Sequence, residues 1–135
     1  MNNILTMEIK RFEKNLIAFD FDNEIVNATD MLKAFPEKKM NNFLRQQQTK
    51  EFIKVLEKSL NTRKSVIKTS AGKYGGTYMH KRLAYKFAAW LSPDFENFVF
   101  EVFDNFMNEK LRNQQRQLDY FWDKEDQRDT YLRKY

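Results

Sequence analysis

The sequence predicts an α+β domain, and three observations predict it. Residues 15–26, NLIAFDFDNEIV, alternate polar and apolar side chains around Asp22-Asn23, as a β-hairpin does. A second pair of strand-like runs, SVIKT and TYMHK, is joined by SAGKYGG, which holds all three glycines of the chain. The remaining apolar residues recur at helical spacing, most regularly from Phe95 to Leu111. A run of strands, helices, a hairpin and more helices, without β-α alternation, is an α+β order rather than a parallel α/β one.

In chain order, EIKRF adds a short strand before the first hairpin. NATDMLKAF starts a helix: Asn27 is a good N-cap, Asp30 stands three residues on, and Pro36 ends the helix at Phe35. After PEKK, a helix over 38–49 places Met40, Phe43, Leu44 and Gln47 on one side. Lys38, Asn41, Asn42, Arg45, Gln48 and Thr49 fall within roughly 120° on the other. That polar side has no acid, whereas a solvated helix mixes Glu with Lys. KEFIKVLEKSL follows as an amphipathic helix with Phe52, Ile53, Val55, Leu56 and Leu60 inward. The basic hairpin comes next, then the helix KRLAYKFAAWL. Ser92-Pro93-Asp94 restarts the chain as N-cap, first helical residue and first-turn acid. In that last helix Phe95, Phe98, Val99, Val102, Phe103, Phe106, Met107 and Leu111 form the core stripe. We place a domain over 1–110 and a charged helical extension over 111–135, whose 112–135 stretch is a candidate homodimer surface.

Thirteen phenylalanines give the chain bulk for a core, and no cysteine is present, which excludes disulfides and thiol chemistry and suits a cytoplasmic setting. No apolar run reaches the ~20 residues of a membrane span. The start lacks the pattern of a signal peptide. Charge is uneven: residues 33–86 carry 14 Lys and Arg against 3 acids, while residues 87–106 carry 4 acids and no base. A basic block of this kind is the footprint of a polyanion partner.

Enzymatic readings fare poorly. AGKYGGT lacks the GxxxxGK[ST] pattern of a phosphate loop and leads into a strand. Asp20, Asp22 and Glu24 alternate as a nuclease metal site would, yet they sit at a hairpin turn, where acids are ordinary. His80 is the only histidine and lies where the hairpin gives way to a helix, so a capping or packing role is expected rather than zinc. No catalytic residue, cofactor or metal is assigned.

Double-stranded DNA is the partner that fits. A short helix, a turn, a polar acid-free helix and a basic hairpin follow the order of a winged helix-turn-helix-like module, with the helix in the major groove and the hairpin tip on the backbone. From the helix the DNA-facing set is Lys38, Lys39, Asn41, Asn42, Arg45, Gln46, Gln48 and Lys50. From the hairpin region it is Lys64, Lys68, Lys73, Tyr74, Lys81 and Arg82, with Lys68 and Lys73 on phosphates and Tyr74 along a sugar. A protein-interaction module for an acidic partner is the alternative.

VNATD at 26–30 and YMHKRLAYKFAAWLSPDFENFVFEVF at 78–103 resemble the KilA-N domain, over roughly residues 8–107. The matching features are Asn27-Ala28-Thr29, His80, Leu83-Ala84, Ala89-Trp90 and Ser92-Pro93-x-Phe95, in the right order. That family occurs in bacteriophages, prophages and large DNA viruses and is similar to the fungal APSES domain. The resemblance implies DNA binding in gene regulation without catalysis, often in antirepressor-like proteins, acting in the cytoplasm of a bacterial host or infected cell and on nucleoid DNA. It makes Asn27 and Ser92 caps, Trp90 and Phe95 packing residues, and Pro93 a helix start. Family members often carry Gly before Asn-Ala-Thr, where this chain has Asn23-Glu24. Asn23 is expected to take the positive φ there. They also usually carry a second C-terminal domain, where this chain has the charged helix.

Overall fold

A computed structural model of the chain describes residues 7–60, 65–73 and 75–134, with side chains as far as 124. The strands Glu8–Phe12 (β1), Asn15–Asp20 (β2) and Ile25–Asn27 (β3) form an antiparallel meander. The turn between β2 and β3 is built by Asp20, whose two carboxylate oxygens accept from the Asn23 amide nitrogen (3.1 Å) and from Asn23 Nδ2 (2.8 Å). So fixed, Asn23 does not take the left-handed conformation. Glu24 does, at φ 58°, and this corrects the expectation placed on Asn23.

The strands Ile67–Ser70 (β4) and Gly76–His80 (β5) make the second hairpin. The two hairpins are one sheet. β5 pairs antiparallel with β3, Ile25 opposite His80 and Asn27 opposite Tyr78, giving the order β1-β2-β3-β5-β4.

Helix Ala28–Lys33 (α1) is fastened across this sheet by consecutive polar residues of the NATD stretch. Asn27 Oδ1 accepts from the Asp30 amide as N-cap (3.1 Å). The Thr29 hydroxyl accepts from the Thr77 amide in β5 (2.8 Å), and the Asp30 carboxylate accepts from the Ala18 amide in β2 (3.0 Å). The helix ends at Lys33, slightly ahead of the expected Phe35.

The segment expected to be one helix over 38–49 is two pieces. Met40–Leu44 (α2) closes at Arg45, Gln46 is extended (φ −64°, ψ 136°), and Gln47–Ser59 (α3) begins anew. The restart changes which residues point inward. Thr49 and Leu56 are buried, with Phe52, Ile53 and Leu60 half-buried on the same arc. Gln47 is exposed and donates to Glu51 (3.2 Å). Val55, expected inward, is 63% exposed, because it lies roughly 110° from the centre of that arc.

Lys81–Leu91 (α4) and Pro93–Lys134 (α5) complete the chain, with the Ser92 hydroxyl accepting from the Phe95 amide (3.0 Å) as expected of a cap. The chain divides into two compact units, Met1–Val102 and Phe103–Tyr135. In the first, Ile17, Phe19, Val26, Met31, Met79, Leu83, Phe87, Phe95 and Val99 are buried. Phe95 meets Phe12 edge-on at 4.8 Å and Phe35 at 5.4 Å. In the second unit Met107 and Leu111 are exposed (45% and 55%), against the expectation that they belong to the core. The described part of that unit is a single helix, so its apolar stripe meets no second layer of its own. No helix among the described residues is long and apolar enough to cross a membrane.

Candidate nucleic-acid interface

The polar stretch is held from beneath by an aromatic cluster. Phe43, the buried residue of α2, packs on Phe87 (5.0 Å) and Trp90 (5.6 Å) of α4, which stack on each other at 5.9 Å. With Phe43 turned inward, Asn41, Asn42 and Arg45 are exposed. The Arg45 guanidinium folds back on its own turn: Nη2 donates to Asn42 Oδ1 at 2.7 Å, and Nε donates to the Asn41 carbonyl at 3.4 Å. Arg45 and Asn42 thus form a pre-aligned fork and amide. Lys39, Gln46, Gln48 and Lys50 are also exposed, so the break at Gln46 spreads the polar residues over two arms.

Lys38 is placed otherwise. Its ammonium lies over the Trp90 ring at 4.7 Å and donates to the Trp90 carbonyl at 3.5 Å, so its charge is directed at α4. A cleft of about 270 Å³ opens beside the two arms, with Gln46, Gln48 and Thr49 on one wall and Lys86, Ala89 and Trp90 on another. Lys86, which stands over the Phe52 ring at 5.0 Å, joins this surface from α4. Nothing in the linear sequence marks it, because only the packing of α3 on α4 brings it beside Gln46 and Gln48.

In the second hairpin the glycines have backbone reasons. Gly72 has φ 106°, a region that side chains resist. Gly75 donates to the Gly72 carbonyl (3.0 Å) and closes the turn so tightly that an added Cβ would fall within 2.8 Å of the Ala71 carbonyl carbon and closer still to Ser70 O. Gly75→Ala is therefore expected to break the turn at the cost of roughly 1–3 kcal/mol. Amide exchange should quicken at Thr69 and Thr77 while Phe87 and Phe95 stay packed, and an unchanged exchange pattern would refute the close approach. Lys68 and Lys73 are exposed on this hairpin; Tyr74 and Lys64 lie outside the described residues.

Lys81 and Arg82 open α4 differently. Arg82 is exposed, whereas Lys81 Nζ pairs with Glu24 Oε1 at 2.9 Å. The Lys81 amide donates to the Glu24 carbonyl at 2.8 Å. His80 Nδ1 accepts from the Arg82 amide (3.2 Å), capping α4 as expected, and Nε2 faces Glu24 Oε2 at 3.3 Å. The hydrogen bond from Lys81 holds the Glu24 carboxyl below its ordinary 4.5, and burial holds His80 below its ordinary 6.5, against the opposing pull of Glu24.

Both shifts have the same consequence. Below about pH 6.5 the unfolded chain takes up the His80 proton more readily than the folded one, so stability present at neutral pH falls on acidification. Protonation at Nδ1 also sets two donors against each other at the cap. A melting temperature that drops between about pH 7 and pH 5, and drops less in His80→Gln, is the expected result. A flat profile in the parent chain would refute it.

The alternating acids do not converge. Asp20 is committed to Asn23, Glu24 to Lys81 and His80, and Asp22 is exposed. Among the described residues no three His, Cys, Asp or Glu side chains are grouped to hold a metal ion.

Compared with known proteins, residues 10–109 match the model of the KilA-N domain. No curated protein and no solved structure matches. The match spans well over half the chain and takes in the fastening residues Asn27 to Asp30, the capping His80 and Ser92, and the aromatic residues Trp90 and Phe95. The chain belongs to the KilA-N domain family, a family of DNA-binding rather than enzymatic domains.

Proposed function

We propose that the chain is the DNA-binding module of a phage- or prophage-type regulatory protein. In this reading residues 1–110 engage duplex DNA and 111–135 extend them. The polar arms around Gln46 meet base edges in the major groove, and the hairpin at 68–76 lies on the backbone. The observation that carries the reading is the stretch from Lys39 to Lys50. It exposes Asn41, Asn42, Arg45, Gln46 and Gln48 without one acid among them. These are the side chains whose amide and guanidinium geometry matches adenine and guanine edges. Membership of a DNA-binding family supports it, as does the basic block over 33–86.

The test is fluorescence-anisotropy binding of the full chain to a random duplex pool, followed by sequencing of the retained DNA. An enriched motif is expected. Arg45→Ala should then weaken the enriched site by about 1–3 kcal/mol and relax one position of it. Lys68→Ala should weaken all sequences alike. Equal loss on every sequence from Arg45→Ala would reduce that residue to a phosphate contact. Absence of binding at low salt would remove the DNA reading and leave the basic surface to an acidic protein.

A further inference from the structure

The helix of the second unit carries a seam that the DNA reading does not use. Met107, Leu111, Leu118, Phe121 and Trp122 are 45–60% exposed. At 100° per residue they fall, with Gln114, within an arc of about 100°. Arg112, Arg116, Asp119 and Asp123 lie outside that arc. The spacing 107, 111, 114, 118, 121 alternates four and three residues, which is the a/d pattern of a two-stranded coiled coil. A single helix with one such stripe has no reason to remain apart in water.

We propose that this seam pairs two copies of the chain as a parallel, in-register coiled coil centred on Gln114. Gln114 and the flanking positions select the occupant and its direction. In register and parallel, Gln114 meets Gln114 of the partner subunit, and each amide satisfies the other. In the antiparallel registers that overlap these layers, it faces Leu111 or Leu118 of the partner subunit and its polar atoms go unmet. The parallel pairing also sets Lys110 beside Gln115 of the partner subunit and Gln117 beside Trp122 of the partner subunit, so no like charges oppose each other. One antiparallel register sets Lys110 against Lys124 of the partner subunit. The inference stands apart from the DNA reading, although a pair of this kind would present two copies of Met1–Val102 to a site with two half-sites.

Because the chain has no cysteine, single cysteines report the register cleanly. Sedimentation equilibrium of the full chain is expected to give twice the 16.4 kDa chain mass. Leu111→Asp with Leu118→Asp should return it to one chain while thermal unfolding stays cooperative, since both positions are exposed. Under mild oxidation Met107→Cys and Phe121→Cys should each cross-link to itself, as in-register pairs approach within the ~4.4–6.8 Å Cα separation a disulfide needs. Arg116→Cys, on the opposite side, should not. A single-chain mass at every concentration overturns the proposal. So does cross-linking found only in a mixture of Met107→Cys with Leu118→Cys, or of Leu111→Cys with Phe121→Cys, which would mean antiparallel pairing, or cross-linking at Arg116→Cys alone.

Discussion

Raising the salt from about 50 to about 200 mM is expected to weaken duplex binding by roughly a hundredfold. Each neutralised phosphate releases counterions and contributes about −0.9 to the slope of log affinity against log salt. The number of contributing cations follows from the surface. Lys39, Lys50, Lys68 and Arg82 are exposed, whereas Arg45 is turned to Asn42 and is assigned to a base edge. Lys81 is engaged with Glu24 and Lys38 with Trp90, so neither is counted. Four contacts give a slope of about −3.6, which over a fourfold change in salt is about two decades. Anisotropy titrations at four or more salt concentrations measure it. A slope shallower than about −2 would mean that most of the basic block does not touch DNA.

Phe95→Ala is expected to remove about 3–5 kcal/mol of stability. The side chain is fully buried, with Phe12 edge-on at 4.8 Å, Phe35 at 5.4 Å and Phe98 at 5.7 Å. Truncation forfeits its transfer energy and leaves a void bordered by three rigid rings, which cannot close far without losing their own packing. Against a total of about 5–15 kcal/mol for a domain, this is a large fraction. A fall of about 10 °C or more in the thermal midpoint is expected. Phe100→Ala is the internal control: Phe100 is 39% exposed and packs edge-on against Tyr85 at 5.1 Å, so the loss should be far smaller. Equal losses in the two variants would refute the ranking of the sites.

Local structure was legible wherever it depends on neighbours in sequence. The hairpin at Asp22-Asn23, the caps at Asn27 and Ser92, and the glycine turn were all readable, because a turn or a cap is decided by a few adjacent side chains. What depends on distant packing was not. The extended conformation of Gln46 has no breaker residue to announce it, since neither glycine nor proline stands within residues 37–71. With the break hidden, a single arc over 38–49 puts Gln47 inward and Thr49 outward, the reverse of what the restart does. The site suffers from the same limit: Lys38 and Lys81 look like free cations until Trp90 and Glu24 are brought to them across the fold. Lys86 looks like a helix surface residue until α3 arrives beside it. Glu24 shows how context overrides preference. Asn23 is the better left-handed residue, but Asp20 restrains it, and Glu24 has Lys81 and His80 waiting on the far strand and helix.

The pairing of β3 with β5 joins residues about fifty positions apart, and α1, α2 and α3 all lie within the loop that this pairing closes. The meander β1-β2-β3 and the hairpin β4-β5 can each form from local contacts, in microseconds. Zipping them together must await closure of the long loop, whose entropy is lost before the contacts repay it. The order of events on folding is thereby constrained. The arms around Gln46 acquire their shape in the same step that completes the sheet, because Phe43 rests on α4, which follows directly from β5. A peptide cut from residues 38–59 would carry every polar side chain of the arms and none of the surface that spreads them, so on the proposed reading a chain caught before closure would keep its charge and lose the shape that reads a sequence.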